Sequence, residues 1–183
     1  MSSLKTDNSF LKHKIKLRYD FLPDKKNINV LDCFHGSGKI WNAVKILSDK
    51  NINIVSLDVL KNSNSTIKCD NLKILKSHID LNQFDIIDLD TYGIPFKQLE
   101  VLFDRKYTGI IFVTFIQTMY GMLPINFLKK IGISKSMLKK CPSLFCKNSL
   151  EKMCLYLCSY NIKYIYGYFF DRKNYFVING DMQ

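Results

Sequence analysis

Three short apolar runs in the first half of the chain each close on an aspartate. They are Ile28-Asn29-Val30-Leu31-Asp32, Ile52-Asn53-Ile54-Val55-Ser56-Leu57-Asp58 and Phe84-Asp85-Ile86-Ile87-Asp88-Leu89-Asp90. Between the first two, Ile40, Trp41, Val44 and Leu47 recur at the three- and four-residue spacing of a helix. A run that is apolar on both sides of its backbone suits a strand buried on both faces, and helices between successive strands supply that cover. The crossovers then force the strands parallel, because only antiparallel strands can be joined by tight turns.

Extending this pattern predicts strands over 28–34, 52–58, 67–70, 84–90 and 107–117, with helices over 8–21, about 40–50, 72–79, 96–103 and 149–160. Two further strands, 163–170 and 174–178, are separated only by Asp171-Arg172-Lys173 and read as a hairpin. The expectation is a Rossmann-like three-layer α/β/α sandwich, with a mostly parallel seven-stranded sheet closed by a C-terminal antiparallel hairpin. A length of 183 residues suits one domain. The expected division is a basic segment over 1–27, then the domain over 28–183 with a basic insertion at about 119–148.

No apolar run approaches the ~18 residues of a membrane span, so a cytoplasmic protein without membrane contact is expected. Six cysteines occur without a Cys-x-x-Cys pair, which predicts reduced thiols and no metal. The net charge is +11, and between Met119 and Leu150 there are six lysines and no acid. Such a surplus attracts polyanions. Two elements are candidates for phosphate contacts: Lys12, Lys14, Lys16 and Arg18 near the N-terminus, and Lys129, Lys130, Lys135, Lys139 and Lys140. A purely solvated surface is the competing reading of both.

In open α/β sheets, ligands bind beyond the carboxyl ends of the strands. Asp32, Asp58 and Asp90 fall at those ends, with Asp70 closing the short strand. Gly36 and Gly38 let the backbone approach a ligand, because no Cβ intervenes. Asp58 follows at the distance where a carboxylate reaches ribose hydroxyls. A dinucleotide fits less well. Trp41 stands where a third glycine would be needed, and Asp32 beside the turn would repel a pyrophosphate but suit a cationic ligand.

The run Asp32-Cys33-Phe34-His35-Gly36-Ser37-Gly38 resembles the first motif of class I S-adenosylmethionine-dependent methyltransferases, in the Phe-x-Gly-Ser-Gly form of nucleic-acid amino-methyltransferases. The resemblance implies a donor site of Asp32, Phe34, Gly36, Gly38, Asp58, Asp70 and Asn71. Asp32 and Gly36 would face the methionine portion, Asp58 the ribose, Asp70 the adenine amino group and Asn71 the adenine edge. The segment Asp88-Leu89-Asp90-Thr91-Tyr92-Gly93-Ile94-Pro95 is similar to the Asp-Leu-Asp-Pro-Phe-Gly-Ser-Pro stretch of tRNA guanine-N2 dimethyltransferases. That implies methylation of an exocyclic amine in a nucleic acid, RNA before DNA. Asp90 and the Thr91 carbonyl would accept from the amine, and Tyr92 would stack on the base. Thr91 stands where that family has proline, which leaves the loop less rigid. Alternative readings are a non-catalytic binding protein or partner subunit on the same fold, and a methyltransferase for small molecules or proteins.

Overall fold

The computed structural model describes residues 10–59, 64–117 and 122–179. Five strands run parallel: β1 (Asn27–Asp32), β2 (Asn51–Asp58), β3 (Ile67–Lys68), β4 (Ile86–Leu89) and β5 (Ile110–Ile116). A hairpin of β6 (Tyr166–Phe170) and β7 (Lys173–Asn179) completes one seven-stranded sheet in the order β3-β2-β1-β4-β5-β7-β6. β7 inserts antiparallel between β5 and β6. The expected mostly parallel sheet with its closing hairpin is the observed one. The chain proceeds one way through β1, β2 and β3 and the other way through β4 and β5, so a crevice opens where β1 meets β4.

Register sets what stands at that crevice. Asp32 pairs with Asp88 across β1 and β4, so both side chains project from the same face at the same height. That face is covered by α1 (Leu11–Asp20) and α2 (Lys39–Leu47), whose Leu17, Trp41 and Val44 pack on Ile28, Val30, Ile86, Phe112 and Val177. The other face is covered by α3 (Asn71–Lys76), α4 (Phe96–Asp104), α5 (Ile125–Lys130), α6 (Lys135–Lys140) and α7 (Ser149–Cys158). It holds the larger apolar core, with Leu99, Leu102, Phe127, Tyr156 and Phe176 among its buried members.

Two regions differ from the sequence expectation. Helix α1 of the N-terminal basic segment is an integral layer: Leu17 and Arg18 are buried on the sheet, so α1 belongs to the domain. The start of the expected 8–21 helix lies partly outside the described residues. The basic stretch after β5 contains two short helices, α5 and α6, that bury Phe127, Leu128 and Leu138. Its lysines occupy the outer sides of those turns and obscure an apolar spacing that was present in the sequence. Among the described residues, no helix is long and apolar enough to cross a membrane.

Candidate active site

The turn between β1 and α2 is built around two glycines in the left-handed region, Gly36 at φ 55° and Gly38 at φ 70°. A side chain at Gly38 would also meet the His35 imidazole 2.8 Å away, whereas the space beside Gly36 is open, its nearest atom being the Phe34 carbonyl oxygen at 3.9 Å. Neighbouring strand ends tie the turn down. The Cys33 N–H donates to the Asp88 carbonyl (3.0 Å) and the His35 N–H to the Leu57 carbonyl (3.1 Å). The Gly36 N–H donates to Asp58 Oδ2 at 2.8 Å, so the β2 tip reaches the glycine turn directly.

Asp32 is buried, with Oδ1 accepting from the Phe34 N–H (3.2 Å) and Oδ2 contacting His35 Nδ1 (2.9 Å). Burial pushes the Asp32 carboxyl upward, and His35 and the Phe34 N–H pull it back. The His35 imidazole is raised above its ordinary 6.5, first by its hydrogen bond to Asp32, with burial opposing.

Helix α1 brings two cations to this end of the sheet. Arg18 grips Asp88 through two bonds, Nε to Oδ2 and Nη2 to Oδ1, both 2.7 Å. The indole N–H of Trp41 also donates to Asp88 Oδ2, at 2.8 Å. Burial pushes Asp88 up to about 6 against the pull of Arg18. Two N–H donors converge on Oδ2 and one on Oδ1, and all three favour the ionised carboxylate over the protonated one. Burial alone would lower the Arg18 pKa, but Asp88 outweighs it and raises it. Lys14 pairs with Asp90, Nζ to Oδ1 at 2.7 Å, and the Thr114 hydroxyl donates to the same oxygen.

Asp32, Phe34, His35, Gly36, Gly38, Asp88 and Asp90 therefore line one cavity of about 60 Å³, closed from the α1 side by Leu11 and Lys14. The remaining sequence candidates sit elsewhere. Asp70 is exposed and caps α3, accepting from the Leu72 N–H at 2.9 Å. Asn71 is buried, its amide donating to the Cys33 carbonyl (2.9 Å) and accepting from Gln98 (3.0 Å), so the side chain fastens the β1 end rather than presenting an edge to a ligand. Thr91 is half-buried, and Tyr92 is 67% exposed on the loop after β4.

Lys129, Lys130, Lys135, Lys139 and Lys140 are all exposed on α5 and α6. Lys130 is engaged by Glu100 (3.6 Å) and the Tyr160 hydroxyl (3.4 Å). Lys14 and Arg18 correct the N-terminal expectation, because buried and paired cations are not surface phosphate contacts. Sequence reasoning missed their role, together with those of Asp88, Trp41 and Thr114. The available signal was the i, i+4 spacing of Lys14 and Arg18, on the same side of the helix as Leu17.

With this geometry in view, the solved structures similar to the chain are informative about its architecture. A candidate rRNA methylase of Clostridium thermocellum superposes with a TM-score of 0.57 and 16% identity, over 96% of this chain and 97% of that one. A candidate S-adenosyl-L-methionine-dependent methyltransferase of Methanococcus maripaludis gives a TM-score of 0.50 and 14% identity, over 98% and 96%. The chain therefore has the Rossmann-like fold of these methyltransferase structures. No protein-family model and no curated protein sequence matches it.

Proposed function

We propose that the chain is an S-adenosylmethionine-dependent N-methyltransferase whose acceptor is a nucleic acid, RNA more than DNA, with a tRNA guanine as the first candidate. One observation carries the reading. The tips of β1, β2 and β4 converge on the Gly36–Gly38 turn, with Asp58 bonded to Gly36 and both Asp32 and Asp90 on the cavity wall. Two of the three cavity carboxylates, Asp88 and Asp90, are matched by Arg18 and Lys14. Among the described residues the ion-pair partner of Asp32 is His35, a weaker base than arginine or lysine, so this end of the cavity would attract a cationic ligand.

These residues suit the donor in kind. Asp32 and the open side of Gly36 would receive its methionine portion, and Asp58 its ribose. Asp70 and the loop around Asn71 would border the adenine. The cavity of about 60 Å³ is small beside the roughly 300 Å³ of an ordinary ligand pocket, and Asp58 and Asp70 lie outside its lining, so the donor would extend beyond it along the strand tips. When bound, S-adenosylmethionine supplies a methyl group whose S–C bond breaks as an N–C bond forms, the amine losing a proton to solvent. An exocyclic amine is a weak nucleophile, because its lone pair is delocalised into the ring. Among the described residues, Asp90 makes its contacts through Oδ1, which leaves Oδ2 to accept an amine N–H and direct that lone pair. The exposed Tyr92 ring would stack on the base.

The nucleic-acid reading rests on the net charge of +11 and on the exposed lysines of α5 and α6. The experiment combines calorimetry with S-adenosylmethionine and transfer of a labelled methyl group to RNA from cells lacking the protein. Asp90→Ala should lower turnover by roughly 100-fold or more while donor binding persists. Unchanged turnover removes Asp90 from the chemistry. The small cavity favours a second reading, a binding protein that has lost the donor; absence of donor heat at millimolar concentration selects it.

A further inference from the structure

We infer that Lys14 is a positioning residue for Asp90, holding one carboxylate oxygen so that the other is aimed at the acceptor amine; the inference rests on the methyltransferase reading above. Asp90 lies one residue beyond the end of β4 and is followed by Thr91, Tyr92 and Gly93, none of which has the ring that restricts a proline backbone. A short acid at a strand tip would ordinarily sample several rotamers. Here three groups converge on the single atom Oδ1. Lys14 Nζ stands at 2.7 Å, the Thr114 hydroxyl donates to it, and Arg18 Nη2 lies at 3.9 Å.

Lys14 is itself restrained from three sides. It is 5% exposed, and its ammonium lies 5.2 Å from the centre of the Tyr175 ring. Its backbone carbonyl accepts from Arg18 Nη1 at 3.1 Å, which couples it to the guanidinium that grips Asp88. A lysine is an expensive group to bury unless it is paired, so the burial depends on Asp90 standing opposite it. The pair acts in both directions. Asp90 permits Lys14 to be buried, and Lys14 fixes the carboxylate in direction. Lys14 and Asp90 both line the cavity, so the clamp sits at the edge of the reacting space rather than behind it.

The test compares Lys14→Met and Lys14→Arg in the full chain, using labelled S-adenosylmethionine and RNA from cells lacking the protein. Lys14→Met should lower kcat by roughly 10- to 100-fold, the loss expected when a reacting group is mis-aimed. The KM for RNA should stay within about twofold, since a mis-aimed Asp90 slows transfer without loosening the hold on the RNA. Lys14→Arg should restore most of the rate. A readout independent of turnover is the side-chain ammonium resonance of Lys14, visible through slow exchange in the wild type and lost in Asp90→Asn.

A wild-type rate in Lys14→Met, with Asp90→Ala inactive, overturns the role of Lys14 and leaves the methyltransferase reading standing. An equal kcat loss in Leu17→Ala, which loosens α1 without touching Asp90, also overturns it. No donor binding in the wild type removes the methyltransferase reading and this role together.

Discussion

The two faces of the sheet are held by different physics. The face under α3 to α7 is packed with aliphatic and aromatic side chains, and its energy is distributed over many contacts that each tolerate small adjustments. The face under α1 and α2 is also buried, but toward the carboxyl ends of its strands it encloses Asp32, Asp88 and Asp90 against Arg18 and Lys14. Energy there is concentrated in a few charged bonds, whose members are costly once a partner is lost. Ionic burial contributes little net stability compared with hydrophobic residues of the same volume. It is gathered on one face and at one end of the sheet, beside the glycine turn, where the proposed site lies.

The contrast is broken most directly at Arg18. Arg18→Met leaves Asp88 buried with only the indole N–H of Trp41, and should cost about 3–5 kcal/mol in urea denaturation. Adding Asp88→Leu should recover most of that loss, because the orphaned charge disappears with its partner. If Arg18→Met instead behaves like a surface change, water reaches the pair and the two faces are not different in kind. Leu99→Ala on the apolar face should cost about 2–4 kcal/mol by the same measurement, with no second substitution that restores it by removing a charge. A loss in donor affinity as large as its loss in stability would show that the apolar face also shapes the site.

The smallest effect is expected at His35. Its folded pKa lies above 6.5, so its stabilising contribution is complete below that value and fades as pH rises through the folded pKa. The stability difference between wild type and His35→Gln should therefore shrink as pH rises from 6.5 through the folded pKa. A difference that grows with pH would mean that His35 is buried neutral and that Asp32 is not its partner.

Much of this architecture was legible in the residues. The strands could be read because double-sided burial demands unbroken apolar runs, and the hairpin because only Asp171-Arg172-Lys173 separates its arms. The acids at strand tips were legible for the same reason: a chain that reverses out of a sheet places its first polar residue at the rim. What could not be read was partnership. The helical spacing that sets Lys14 on the side of Leu17 and Arg18 separates it from the exposed Lys12 and Lys16, but does not name Asp90 as its partner. That pairing arises only when β4, β5 and β7 meet under α1. Asn71 was equally opaque, because its two hydrogen bonds go to residues 38 and 27 positions away along the chain. The helices α5 and α6 were hidden by their own lysines, which dominate composition while contributing nothing to the buried side.

The insertion of β7 between β5 and β6 has a consequence for how the molecule comes into being. Lys14 rests against the ring of Tyr175, so one of the earliest ordered helices leans on one of the latest strands. A ribosome must add more than 160 residues after Lys14 before that support exists, although β1 to β4 can associate long before then. Nascent chains halted ahead of the hairpin would thus carry the glycine turn, the aspartates and Lys14 without the Tyr175 ring against which the lysine rests.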